Sequence, residues 1–246
     1  MRDKLVEHFG VSLKNDNLQI NRENYAIIDK RVYSKVPSSI IEIYKKEPER
    51  RKKTYENVDC TIYSDEWCAS HKERCLLNYD YNMNYFEQLD KIDFNNCLNN
   101  MIEHFDKMEE IYDLNECKDV VGVYVLVLDN YKQIYIGQSH SSIKTRIMRH
   151  WSTKKEFDKL IFGKVDNSIL SIDSFGALDT TRIFIYPTEL CYEVEEKMVD
   201  FFEKKYLLNR TAGGIGGEHN YTNDKHSTLI SVLANRKAHD LTNYIK

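Results

Sequence analysis

Residues 120–137, VVGVYVLVLDNYKQIYIG, hold two β-branched and aromatic runs separated by a polar Asp129-Asn130 break, which is the pattern of a β-hairpin. Side chains two apart share a sheet face. Tyr124, Leu126 and Leu128 are therefore expected on one face, and Val123, Val125 and Val127 on the other. The period then changes. After a polar turn from Gln138 to Ser142, Ile143, Ile147 and Trp151 fall at i, i+4 and i+8 and predict an amphipathic helix. Thr181 to Tyr186 reads as a third strand ended by Pro187. The segment 191–209, CYEVEEKMVDFFEKKYLLN, reads as a second helix ending in an asparagine. From Glu195, residues Met198, Val199 and Phe202 lie at i+3, i+4 and i+7, so Glu195 stands on the apolar stripe, whereas Glu193 and Glu196 share faces with Lys197, Asp200 and Glu203.

Outside this strand-strand-helix-strand-helix frame the signal is weaker. Segments 36–46, 84–92 and 96–114 carry helical spacing, for example Leu98, Met101, Ile102, Phe105 and Met108, so residues 1–117 are expected to be mostly helical. The connection from Lys154 to Thr180 is longer than a minimal one, and Phe157, Leu160, Ile161 and Phe162 suggest a further helix face. Residues 225–244 read as a terminal helix, and the glycine-rich run 213–217 as a flexible turn or a place of close backbone approach.

Candidate chemistry gathers around the hairpin. Tyr124 and Tyr135 are fixed on rigid strands, and Arg146 and His150, four apart, share one face of the helix that follows. An arginine presents a planar fork of donors suited to phosphate oxygens, and a histidine relays protons near neutral pH. A carboxylate on a buried stripe, as at Glu195, is costly unless a cation or hydrogen bonds satisfy it. Cys60, Cys68, His71 and Cys75 have soft-ligand chemistry, but their spacing is irregular and the flanks look helical, so free or buried thiols are favoured over a zinc site.

Gly122-Val123-Tyr124, ten residues, Tyr135-Ile136-Gly137, then Arg146, Glu195 and Asn209 resembles the pattern of the GIY-YIG nuclease family over roughly residues 119–217. The resemblance implies an α+β fold whose core is a small three-stranded antiparallel sheet flanked by helices over 118–217, with a helical extension 218–246 after it and, before it, the helical region 1–117, whose place suits a part that embraces DNA, reads sequence or builds an oligomer interface. It implies catalytic roles for Tyr124, Tyr135, Arg146, His150, Glu195 and Asn209. Tyr124 would be the general base toward water, assisted by the Arg146 cation that also clamps the phosphate. Tyr135 would hydrogen-bond phosphate or water, His150 would orient a tyrosine, and Asn209 would support the metal or loop. Glu195 is the implied ligand of a Mg²⁺ (or Mn²⁺) ion, since one hard carboxylate plus waters and phosphate oxygens suits an octahedral cation. Glu196 is the second choice of glutamate, and Arg149 the alternative arginine.

The implied activity is metal-dependent endonucleolytic hydrolysis of double-stranded DNA. A restriction or phage-defence role is favoured over homing or repair, because no long linker, repeated DNA-reading module or helix-hairpin-helix is visible. A non-catalytic nucleic-acid-binding protein is the reading of a different class, and cutting both strands makes a homodimer expected.

Composition sets limits. The net charge of −4 is unsuited to a polyanion taken as a sum, but residues 1–117 hold 17 basic and 23 acidic side chains, net −6, whereas 118–246 hold 18 and 16, net +2. Phosphate contacts depend on local clusters. One is Lys144, Arg146, Arg149, Lys154 and Lys155, and another is Lys45, Lys46 and Arg50 to Lys53. No long apolar run or signal-like N-terminus is present, so no membrane is expected. Six scattered cysteines in a chain of this length suggest reduced thiols and a cytoplasmic location.

Overall fold

The predicted hairpin forms, with the predicted alternation. In the computed structural model, which describes residues 5–14, 18–27, 55–56, 62–63, 65–161, 165 and 168–209, the elements in chain order begin with β1 (Val6–His8), β2 (Val11–Leu13), α1 (Arg22–Tyr25), β3 (Tyr55–Glu56) and β4 (Ile62–Tyr63). Next come α2 (Asp65–Gln88), α3 (Lys91–His104), β5 (Glu109–Ile111), β6 (Gly122–Leu128) and β7 (Gln133–Ser139). The last are α4 (Ile143–Ser152), β8 (Arg182–Pro187) and α5 (Cys191–Phe201). The helices expected over 36–46 and 225–244, the basic run Lys45 to Lys53, Cys60, Phe162 and the glycine-rich run 213–217 lie outside the described residues.

The main sheet is antiparallel with strand order β5-β8-β6-β7. It has four strands, not the three expected. The added edge strand β5 falls inside the segment 96–114 that carries helical spacing: α3 stops at His104, and Glu109 to Ile111 pair with Ile185 to Ile183. A three-residue edge strand shows no period of its own, so apolar spacing carried over from the preceding helix conceals it. The segment 84–92 likewise spans two helices. Asp90 ends the first by capping the second, its carboxylate accepting the Asp93 backbone N–H at 2.8 Å.

All seven residues of β6 are buried, because helices cover both faces of this central strand. On one face Tyr124, Leu126 and Leu128 join Ile183 and Ile185 of β8, Ile143 and Ile147 of α4, and Phe86 of α2. On the other, Val123, Val125 and Val127 join Phe94, Leu98 and Met101 of α3 with Met198 and Val199 of α5. Each fully buried aliphatic side chain is worth roughly 1.5–3 kcal/mol. That supplies a rigid platform for the tyrosines carried on β6 and β7. The hairpin turn is closed by Lys132 in the left-handed region at φ 49°, and its ammonium donates to the Phe86 carbonyl at 2.7 Å, tying the turn to α2.

Gly122 opens β6 with φ +154°, and a Cβ there would lie 2.2 Å from the Tyr186 carbonyl oxygen of the neighbouring strand, so only glycine fits. At the other side of the sheet, the chain after α5 runs along the free edge of β7. Leu207 bridges Ile134 in parallel, and the Leu208 N–H donates to the Ile134 carbonyl at 2.8 Å. An edge that would expose unpaired backbone groups is thereby covered.

Two further expectations are corrected. The helix predicted over 191–209 ends at Phe201, where Phe202 turns extended and the Lys204 ammonium donates to the Val199 carbonyl at 2.9 Å. This satisfies one of the carbonyls a helix end leaves open. Among the described residues, the connection after α4 contains single 3₁₀ turns at Phe157–Lys159, Ile172–Ser174 and Ala177–Asp179 rather than a helix, although Phe157 and Leu160 are buried as their apolar character requires. The buried Asn82 of α2 holds this connection. Asn82 donates from its amide to the Ser168 carbonyl and accepts from the Leu170 N–H. The buried carboxylate of Asp179 accepts from the Ile20 and Gly176 backbone N–H groups and from the Tyr131 hydroxyl, which joins the N-terminal segment to the hairpin. Among the described residues, no helix is long and apolar enough to cross a membrane.

Candidate active site

At the C-terminal end of β7, the turn that follows it, the first turns of α4 and the helix α5 surround a polar cleft of about 230 Å³. Ser142 starts α4 by accepting the Thr145 backbone N–H, and the Ser139 hydroxyl accepts the Ser142 N–H, so the sharp turn delivers Arg146 and Arg149 to the cleft within two helical turns. Tyr135, Gln138, Arg146, Arg149 and Glu195 all line it. Arg149 is exposed at its rim, whereas Arg146 is half-buried against the tyrosines. Of the expected basic cluster, Lys154 and Lys155 line a separate cavity, and Lys144 donates to the Asn115 side chain at 2.6 Å.

Tyr124 is fully buried beneath this cleft. Its hydroxyl is 2.8 Å from His150 Nε2, and the Arg146 guanidinium lies near enough to pull its titration downward. The Tyr124 and Tyr135 ring centroids are 6.3 Å apart, and Tyr135 meets the His150 ring edge-on at 5.1 Å. Burial drives the Tyr124 phenol well above its ordinary range, neighbouring Tyr135 and Glu195 push the same way, and Arg146 opposes them. Tyr135 is raised by burial and by Glu195, again against the pull of Arg146. Gly137 lies opposite Tyr124 in the strand pairing, and the space a side chain would need is filled by the two phenols.

Glu195 is 2 % exposed, and burial pushes its carboxyl up to about 8 despite the opposing pull of Arg146 and of the Gln138 amide. Its Oε2 and the Oε1 of Gln138 are both buried and have no hydrogen-bond partner among the described residues. Two acceptor oxygens without donors in one polar cleft fit a hard cation, which binds oxygen ligands and favours the ionised carboxylate. Glu196 is exposed and lines a different depression.

Asn209 is buried but does not line the cleft. It clamps β7 from the edge: Oδ1 accepts from the Ile136 N–H at 3.0 Å, and Nδ2 donates to the Ile136 carbonyl at 2.7 Å. Replacing it with alanine leaves both backbone groups of Ile136 without these partners. We expect Asn209→Ala to lower the unfolding free energy by about 2–3 kcal/mol, read from urea denaturation midpoints at unchanged slope.

Sequence reasoning missed Asp173. It sits on the 3₁₀ turn Ile172–Ser174, and its Oδ1 is 2.7 Å from His150 Nδ1. No period or motif marks it. The one available signal is a connection longer than needed, held in place by contacts to α2.

Cys60 lies outside the described residues, and His71, Cys68 and Cys75 do not come together as a ligand group. His71 Nε2 is engaged with the Phe157 carbonyl at 2.8 Å, its ring stacks on Trp67, and Cys68 and Cys75 are buried thiols, the latter pushed by burial up to about 12. Among the described residues, the metal-type ligand group that comes within 4.8 Å is Asp93, Cys97 and Glu203. There the Lys205 ammonium already bridges both carboxylates at 2.6 and 2.9 Å.

No protein-family model, curated protein or solved structure matches this chain.

Proposed function

We propose that the chain is a divalent-metal-dependent endonuclease of GIY-YIG type that hydrolyses phosphodiester bonds of double-stranded DNA. The observation that carries this reading is that Arg146 and Glu195 line one polar cleft and both act electrostatically on the buried Tyr124, although the three are 22 to 71 residues apart along the chain.

Hydrolysis of a phosphodiester requires an activated water, compensation of charge on the phosphoryl oxygens and help for the departing 3′ oxygen. Mg²⁺ or Mn²⁺, held through Glu195 Oε2 with Gln138 Oε1 beside it, would supply Lewis-acid stabilisation of the phosphoryl and leaving oxygens. The protein's own residues do the rest. Arg146 favours the charged form of the nearby Tyr124 phenol until an incoming phosphate competes for the guanidinium, whose planar fork matches phosphate oxygens. Its turn toward the phosphate leaves the Tyr124 phenol to His150 and the attacking water. Tyr124 then takes a proton from the water while passing its own to His150 Nε2, so no free phenolate has to form in the buried site. Tyr135 supplies a hydroxyl at the cleft wall. Arg149 at the rim meets a flanking phosphate.

The compact core with additions on both sides suits a restriction or phage-defence enzyme, and cleavage of both strands suits a homodimer with one cleft per strand. Purified protein incubated with plasmid and phage DNA is expected to yield discrete fragments with Mg²⁺ and none with EDTA. Intact DNA with a retarded band under both conditions would replace the nuclease reading with that of a binding protein.

A further inference from the structure

His150 bonds on both ring nitrogens, and the identity of its two partners fixes where its proton sits. Asp173 is the partner on Nδ1, at 2.7 Å. Burial alone would raise this carboxyl, but the hydrogen bond and charge of His150, together with Lys155 and Arg146, hold it below the usual carboxylate range. An ionised carboxylate only accepts hydrogen bonds, so Nδ1 must carry the N–H. In the neutral ring that leaves Nε2 as a lone pair directed at the Tyr124 hydroxyl 2.8 Å away. The groups that face the imidazole from the elements packed on it are Tyr124 of β6, Tyr135 of β7 and Asp173 of the 3₁₀ turn, with Arg146 one helical turn back on α4. Asp173 is the carboxylate in contact with the ring and one of two ring hydrogen-bond partners shown.

We propose that Asp173 is a positioning residue that locks His150 in the Nδ1–H tautomer, so that Nε2 is the proton acceptor for Tyr124. The role rests on the nuclease reading for its catalytic consequence, but the tautomer itself does not. When Tyr124 loses its proton to Nε2, the imidazolium is flanked by the Asp173 carboxylate, which stabilises the charge without taking the proton. Without that carboxylate the ring is free to place its hydrogen on Nε2, which then donates to the phenol oxygen instead of accepting from it. The proton then has nowhere to go. The same logic, a buried carboxylate fixing the tautomer of a histidine that serves a hydroxyl, operates in the Ser-His-Asp triad.

The test is the pair of ¹⁵N chemical shifts of the His150 ring in the full-length protein, with Asp173→Asn alongside. In the wild type the Nδ1 shift is expected in the protonated range and the Nε2 shift in the lone-pair range. In Asp173→Asn, whose amide can donate to Nδ1, the pattern is expected to reverse or average. Cleavage by Asp173→Asn is expected to fall about 100-fold or more in kcat with KM little changed, and to recover in part as the pH is raised. A wild-type ring protonated on Nε2 would overturn the proposal, and so would an Asp173→Asn protein that keeps the wild-type shifts and kcat. Should the wild-type protein cut no DNA yet show the Nδ1–H ring, the tautomer assignment stands and the nuclease reading fails. The wild-type shifts decide the matter even where the variant does not fold.

Discussion

The Glu195 carboxyl is expected to make the metal-free protein lose stability as the pH rises from about 4.5 to about 8, and Glu195→Gln is expected to remove that contribution. The sign follows from proton counting. The Glu195 carboxyl titrates near its ordinary 4.5 when the chain is unfolded and near 8 when it is buried in the cleft. Between these values the folded state holds a proton that the unfolded state has released. Stability therefore falls with rising pH throughout this window, by at most about 1.4 kcal/mol per pH unit. Below the window both states are protonated, and the buried neutral acid carries no such penalty. A divalent cation reverses the preference, because it binds the carboxylate, so Mg²⁺ is expected to flatten the curve of the wild type and leave that of Glu195→Gln unmoved. Melting temperatures of both proteins across this range, with EDTA and with Mg²⁺, check the expectation. Parallel curves for the two proteins would mean that Glu195 ionises freely and that the orphaned Oε2 marks no cation site.

Gly137→Ala is expected to disable the cleft out of proportion to its size. A Cβ at this position would lie 2.5 Å from the Tyr124 hydroxyl oxygen, 2.6 Å from its Cζ and 2.8 Å from Tyr135 Cε1. None of these is the free end of a flexible chain, since the Tyr124 hydroxyl is held by His150. Both phenols must shift, and the Tyr124–His150 hydrogen bond lengthens or breaks. Overpacking of this kind costs about 1–3 kcal/mol in stability. A displacement of about 1 Å in a catalytic group is enough to slow a reaction roughly 100-fold. Single-turnover cleavage and urea denaturation of the same preparation separate the two effects: a folded protein with a rate loss of that order is the expected result, and wild-type cleavage would show that the phenols are not held where the chemistry needs them.

The same glycine shows how much of this molecule is legible in its sequence. Regular alternation in β6 and the i, i+4, i+8 pattern of α4 are local signals, and they place Tyr124, Arg146 and His150 on the correct faces without reference to the rest of the fold. Glu195 is legible for a similar reason: the apolar residues Met198, Val199 and Phe202 share its stripe, and all are buried. What the sequence conceals is decided by contacts far apart along the chain. Strand β5 exists because Glu109 to Ile111 meet β8, and nothing within three residues announces it. Asn209 lies where the sequence pattern puts it, but its partners are the backbone groups of Ile136, and a clamp of this kind leaves no periodic trace. Asp173 is hidden more deeply, since its place next to His150 depends on a connection held by the buried Asn82 of a helix about ninety residues earlier. The end of α5 at Phe201 is set by Lys204 reaching back to a carbonyl, a capping contact that helix periodicity does not report.

The central claim is that a phenol, a guanidinium and one carboxylate act together on a single phosphodiester. Its most direct test is a plasmid cleavage assay with Mg²⁺ on Tyr124→Phe, Arg146→Ala and Glu195→Gln, each first shown to be folded by circular dichroism and to retain DNA in a gel shift. The account predicts that every one of the three loses at least about 100-fold in rate, the scale expected for removing a general base or a charge-stabilising group. Near-normal cutting by any folded member of the set, and by Glu195→Gln above all, would contradict it.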